Sequence, residues 1–114
     1  MTVKFDPPKW IYNVTNIASK NSNLTVNALN LDLCGEVEAI NIPKDWTIET
    51  DNKSQIGWFA KNNGGIRPGK SINFELKSSL KMIREEFALI NTWDNKFNKA
   101  GPVSSSKVKI PCNK

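Results

Sequence analysis

Apolar residues in this chain recur mostly at every second position, the spacing of a half-buried strand. An extended stretch covers residues 3–17, with Pro7-Pro8 interrupting it, and Trp10, Tyr12 and Val14 then alternate on one face. Ser19 to Asn23 is a turn cluster. Leu24, Val26 and Ala28 share one face of the next segment, whereas Leu29, Leu31 and Leu33 share the other. That change of phase inside one strand predicts a bulge or a crossing between sheets. Val37 to Ile42 is a short strand, and Pro43-Lys44-Asp45 turns the chain into Trp46 and Ile48. Beyond the polar turn Asp51 to Ser54, Ile56, Trp58 and Ala60 alternate. Ile72, Phe74 and Leu76 do the same after Pro68-Gly69, a pair that suits a type II turn because glycine tolerates positive φ. Val108 and Ile110 form a closing strand that ends at Cys112.

Two stretches resist this reading. Over residues 79–90, Leu80, Ile83, Phe87 and Ile90 fit a helical stripe with Ser78 or Ser79 as cap. Phe87, Leu89 and Asn91 fit a strand equally well. The favoured assignment is a turn near 79–84 and a strand from about 85 to 93, with a short helix near 79–90 as the competing one. Asp94 to Pro102 is expected to be a long polar loop.

Short strands punctuated about every 8 to 12 residues predict an all-β protein, an antiparallel β-sandwich of about seven to nine strands. At 114 residues the chain is one domain, 1–114, able to bury about two-thirds of its unfolded surface. No internal repeat interrupts it.

Composition narrows the chemistry. Histidine is absent, which removes His-based triads, His-ligated metals and imidazole switching. The net charge is +5, carried by fourteen lysines and only two arginines, Arg67 and Arg84. The lysines are scattered, unlike the clustered, Arg-rich surfaces that read nucleic acid. No nucleic-acid partner is expected, and no apolar run is long enough to span a membrane. Cys34 and Cys112 form no C-x-x-C motif. Their natural pairing is a disulfide, which implies an oxidising compartment; two reduced, buried thiols are the alternative. Three N-x-[ST] sequons occur, at Asn13, Asn23 and Asn52, in a chain of fifteen asparagines. The first residues lack an apolar signal segment, so the chain is either cytosolic or cut from a longer secreted precursor.

Candidate chemistry is sparse. No pair among the eleven carboxylates sits in a cleft-like motif of the glycosidase kind. Asp94 and Asn95 offer oxygens, but their spacing matches no calcium loop. Gly64 to Ser71 matches G-x-x-x-x-G-K-[ST] literally. Pro68 removes an amide that a phosphate cradle needs, and the following residues alternate as a strand instead of opening a helix. A turn is therefore expected there, with no cofactor and no catalytic residue. Trp46 and Trp58 alternate with aliphatic residues and belong in the core. Trp93 and Trp10 are the candidates for exposed, ligand-stacking rings.

The run Gly35-Glu36-Val37, Ile42-Pro43-Lys44-Asp45-Trp46, Ile56-Gly57-Trp58-Phe59-Ala60, Gly64 to Ser71 and Phe74-Glu75-Leu76 resembles small sandwich domains of exported archaeal and bacterial surface proteins. Trp10 to Asn16 is similar to their opening strand. The resemblance implies an Ig-like or fibronectin-like domain of a longer extracellular or cell-surface protein, with Cys34 joined to Cys112. The expected function is a non-enzymatic, monomeric module for spacing, adhesion or assembly, with other surface proteins or polysaccharide as partners. The alternative is a carbohydrate-binding module that uses exposed tryptophans.

Overall fold

A computed structural model describes residues 1–113 as nine strands, with no helix among them. They are β1 (Thr2–Asp6), β2 (Lys9–Thr15), β3 (Leu24–Asp32), β4 (Glu38–Ile40), β5 (Trp46–Thr50), β6 (Gln55–Ala60), β7 (Ser71–Lys77), β8 (Met82–Asp94) and β9 (Lys99–Cys112). All pair antiparallel, in a four-stranded sheet of order β1-β2-β7-β4 and a five-stranded sheet of order β5-β6-β3-β8-β9. The expected β-sandwich is what forms.

Alternation decides which side chains fill it. Trp10, Tyr12 and Val14 of β2 and Phe74 and Leu76 of β7 face inward from one sheet. Leu29 and Leu31 of β3, Ile56 and Trp58 of β6, and Val108 and Ile110 of β9 meet them from the other. At the centre the Phe74 ring stands edge-on to Trp46, 4.9 Å between centroids, and tilted against Trp58 at 5.4 Å. Such geometries suit the ring quadrupoles and add to the area that aromatics bury. Ile72 is only partly buried, at the rim of this core. The predicted phase change in β3 is a bulge: its register slips between Val26 and Ala28, so Val26 and Leu29 both point inward.

Polar pins hold the layers in register. The Tyr12 hydroxyl donates to the Lys109 carbonyl at 2.9 Å, from one sheet to the other. Asn16, just past β2, is 4% exposed; its amide donates to the carbonyls of Leu24 (2.9 Å) and Ile66 (2.8 Å), and its Oδ1 accepts from the Ala18 amide. A buried amide with all these partners stabilises, whereas the same group unpaired would be costly.

Three expectations are corrected. Residues 82–94 are one continuous strand, so the competing helix near 79–90 is absent and the turn is confined to 78–81. Residues 94–102 are no long loop: Asp94 pairs with Lys99 and Trp93 with Ala100, leaving a four-residue turn, 95–98, between two long strands. Gly101-Pro102 fits within β9 because β9 is an edge strand and its register slips opposite Asn91 and Trp93. Trp10 is buried, 1% exposed, because it faces the core and Phe5, opposite it on the neighbouring strand β1, stacks on its ring at 4.3 Å. It has no face left for a ligand.

Cys34 and Cys112 form a disulfide that joins the exit of β3 to the end of β9. The bridge spans 78 residues of sequence. On the chain-entropy account such a loop stabilises by about 4 kcal/mol. Replacing both cysteines with serine is expected to lower stability by about that amount in chemical denaturation. Alkylation without reductant should label neither cysteine of the native protein; two labelled thiols would contradict the bond. Trp58→Ala should cost about 3 to 5 kcal/mol, as emptying a buried aromatic site does. An unchanged denaturation midpoint would place Trp58 outside the core.

Candidate functional site

The inner faces are consumed by the core, so the outer faces are what a partner can meet. On the outer face of the five-stranded sheet, Glu49, Gly57, Asn30, Leu89 and Ser105 lie in one cross-strand row. Gly57 at its centre leaves a low floor. The Phe59 ring lies over that floor: a Cβ on residue 57 would stand 2.7 Å from Phe59 Cε2 and 2.7 Å from Asn30 Oδ1. A side chain here would push Asn30 and Phe59 aside, so glycine is what lets the ring lie over the floor. Phe87 (51% exposed) and Leu89 (43%) rise beside it from β8. The result is an open trough of about 830 Å³.

Its polar rim is one-sided. Asp32, Glu49 and Asp51 line the trough, and no lysine or arginine does, in a chain whose cations outnumber its anions 16 to 11. Lys107 stands at the trough's edge, its Nζ 5.6 Å from the Phe87 centroid. Asp51 is bound into a turn. Its carboxylate accepts from the Ser54 hydroxyl and from the amides of Ser54 (2.8 Å), Lys53 (2.9 Å) and Gln55 (3.3 Å). These hydrogen bonds, that from the Ser54 hydroxyl foremost, hold its pKa well below the usual carboxylate range.

The residues singled out from sequence distribute as follows. Trp93 lies on this same outer face by strand alternation, half-buried, opposite Thr25 and Ala100 near the far end of β8. Trp10 is in the core. The Gly64 to Ser71 segment is a turn: the Lys70 amide donates to the Arg67 carbonyl at 3.0 Å, the Gly69 amide to Asn16 at 2.8 Å, and Gly69 has φ of 80°. Two amides a phosphate would need are thus engaged, and β7 follows. Asp94 accepts from the amides of Lys96 and Phe97, which closes the β8–β9 turn. Among the described residues no group of three Cys, Asp or Glu side chains is placed to hold a metal ion, and no helix is long and apolar enough to cross a membrane.

No family model matches the chain, and no curated protein matches it. Among solved structures it is similar to an uncharacterised protein from Nocardia farcinica, whose crystal structure is described as revealing an immunoglobulin-like fold. The likeness has a TM-score of 0.64 and covers 93% of this chain and 88% of that one, at 14% identity. The fold is immunoglobulin-like. Nothing in the likeness bears on an export route or a ligand, so the trough stands on its own geometry. Sequence reasoning missed it. Its one visible signal was that Phe87, Ala88, Leu89 and Ile90 are all apolar, which marks a strand apolar on both faces of this immunoglobulin-like sandwich.

The Asp51 turn gives a pH prediction. A lowered folded-state pKa contributes stability that is present above the unfolded value and is lost as pH falls through the folded one. By NMR titration Asp51 is expected to remain ionised at about pH 3, where an ordinary aspartate (about 3.9) is mostly protonated. Ser54→Ala should move its titration back toward the ordinary range. Protonation of Asp51 at the ordinary value in the native chain would contradict the turn as described.

Proposed function

We propose that this chain is a non-enzymatic binding module of a secreted or cell-surface protein, which engages its partner through the outer face of the five-stranded sheet. The observation that carries the reading is the uncovered apolar trough of Phe59, Phe87 and Leu89 beneath a rim of three carboxylates. Large apolar side chains grouped on an exposed sheet face, rimmed by polar groups, are the usual mark of an interaction surface. The rest of the molecule supports a rigid platform: two sheets interlocked by aromatic rings, a satisfied buried amide and a disulfide. The Cys34–Cys112 bond is consistent with an extracellular location.

The carbohydrate-binding alternative loses Trp10 and keeps Trp93, which lies half-buried on the same outer face. Within the trough itself a sugar would stack on Phe59 or Phe87, with Asn30, Asp32 and Gln55 as polar partners.

Phe87→Asp tests the reading because it places a charge in the trough at a side chain half exposed and outside the core. The wild-type domain and this variant are compared against immobilised polysaccharides and surface-protein fragments. Binding that the variant loses at an unchanged melting temperature is the expected outcome. Binding that survives Phe87→Asp and maps by NMR to another face would overturn the assignment of this surface.

A further inference from the structure

A second feature of the surface matches the trough in shape and charge. The four-residue turn at the end of the β8–β9 hairpin carries Phe97, 64% exposed, with Lys96 Nζ 5.4 Å and Lys99 Nζ 5.6 Å from its ring centroid. It is an apolar knob bearing two cations, held by the Asp94 carboxylate on the amides of Lys96 (2.9 Å) and Phe97 (3.2 Å). The trough is an apolar depression lined by three carboxylates, with the cation Lys107 set against Phe87 at its edge.

The two features lie toward opposite ends of the sheet. Leu24 of β3 pairs with Asp94 beside the knob, whereas Asp32, at the other end of β3, lines the trough. From Leu89 to Asp94 the strand runs five residues, about 17 Å at the usual rise. A hairpin paired along its length cannot fold the knob back into its own trough. We infer that the trough receives the Lys96–Lys99 turn of a second copy of this chain, joining molecules head to tail. This rests on the binding role given to the trough above, and it departs from the monomer expected from the sequence. Because each molecule presents one knob and one trough, the contact is heterologous, and assembly continues until a ring closes or the supply of copies ends. The positive-on-negative match also steers the encounter and makes it sensitive to salt.

The experiment pairs two single variants by sedimentation velocity on the full 114-residue chain. Phe97→Asp spoils the knob and leaves the trough; Phe87→Asp spoils the trough and leaves the knob. Wild type should show a mass that rises with concentration beyond a dimer, and the association should weaken as salt is raised from about 0.1 M to about 1 M. Each variant alone should stay monomeric, and an equimolar mixture should form a dimer and stop there, since one good knob meets one good trough. Lys96→Glu, at the exposed turn, should weaken wild-type association at least several-fold without affecting the fold. Wild type that associates while the mixture stays monomeric would overturn the inference, because another surface is then responsible. Monomeric wild type at all concentrations would overturn it too. If Phe87→Asp still abolishes binding to another ligand in that case, the trough keeps its binding role; if it abolishes nothing, that role fails as well.

Discussion

Phe74 sits between Trp46 and Trp58, and most of the structure can be traced outward from that contact. The three rings come from both sheets and are essentially removed from water. An antiparallel sheet of these strands has one apolar face to hide, and only the other sheet can hide it. The rings set how closely the sheets approach and in which register. Around them the connections fall into place. Trp46 Nε1 donates to the Gly64 carbonyl at 2.8 Å, the Lys61 amide to Asp45 at 2.8 Å, and Asn16 ties the end of β2 to β3 and to Ile66. Trp58 and Trp10, by contrast, bury indole N–H groups without a partner among the described residues. Their place in the core rests on packing.

Securing the fold from the inside frees the outer face of the five-stranded sheet. Gly57 is informative because the core does not need it: its partners Asn30 and Phe59 close over the missing side chain. Phe87 and Leu89 likewise contribute half-exposed apolar surface where a polar residue would serve folding better. The edges are treated differently. β9, long and on the outside of its sheet, carries Pro102, Lys107, Lys109 and Pro111, devices that discourage uncontrolled strand pairing. Contact between copies through a turn and a trough is compatible with such guarded edges.

How much of this could be read from the sequence depended on whether one face of a strand was polar. The outer face of β7 is polar and that of β2 is polar apart from Ile11, so Trp10-Tyr12-Val14 and Ile72-Phe74-Leu76 stood out, and the break of phase in β3 announced its bulge. β8 did not stand out. Phe87 and Leu89 on its outer face fill in the gaps between Ala88 and Ile90, and the period of two disappears. The feature that makes the strand a candidate site is the one that hid it. Asp94 to Pro102 misled for another reason: Asn95 and Asn98 do mark a turn, but Gly101 and Pro102 beyond it belong to an edge strand whose register slip accommodates them. Trp10 was offered as an exposed ring because a residue's own spacing says nothing of Phe5 stacking on it from the neighbouring strand. The asparagines were informative in part: five of them, with Asp45, adopt positive φ, at Asn41, Asn52, Asn62, Asn63 and Asn98. Their short side chains make that backbone accessible.

Native-state hydrogen exchange tests directly whether the sandwich is held from its aromatic centre. Opening free energies are highest where a protein's cooperative core lies. The account predicts that the slowest amides are those of β3, β6 and β7 flanking Leu29, Trp58 and Phe74. The edge strands β1, β5 and β9 and the turn at 95–98 should open earlier, by partial unfolding. Greatest protection at the turn end of the β8–β9 hairpin, with Trp58 and Phe74 amides exchanging early, would contradict it.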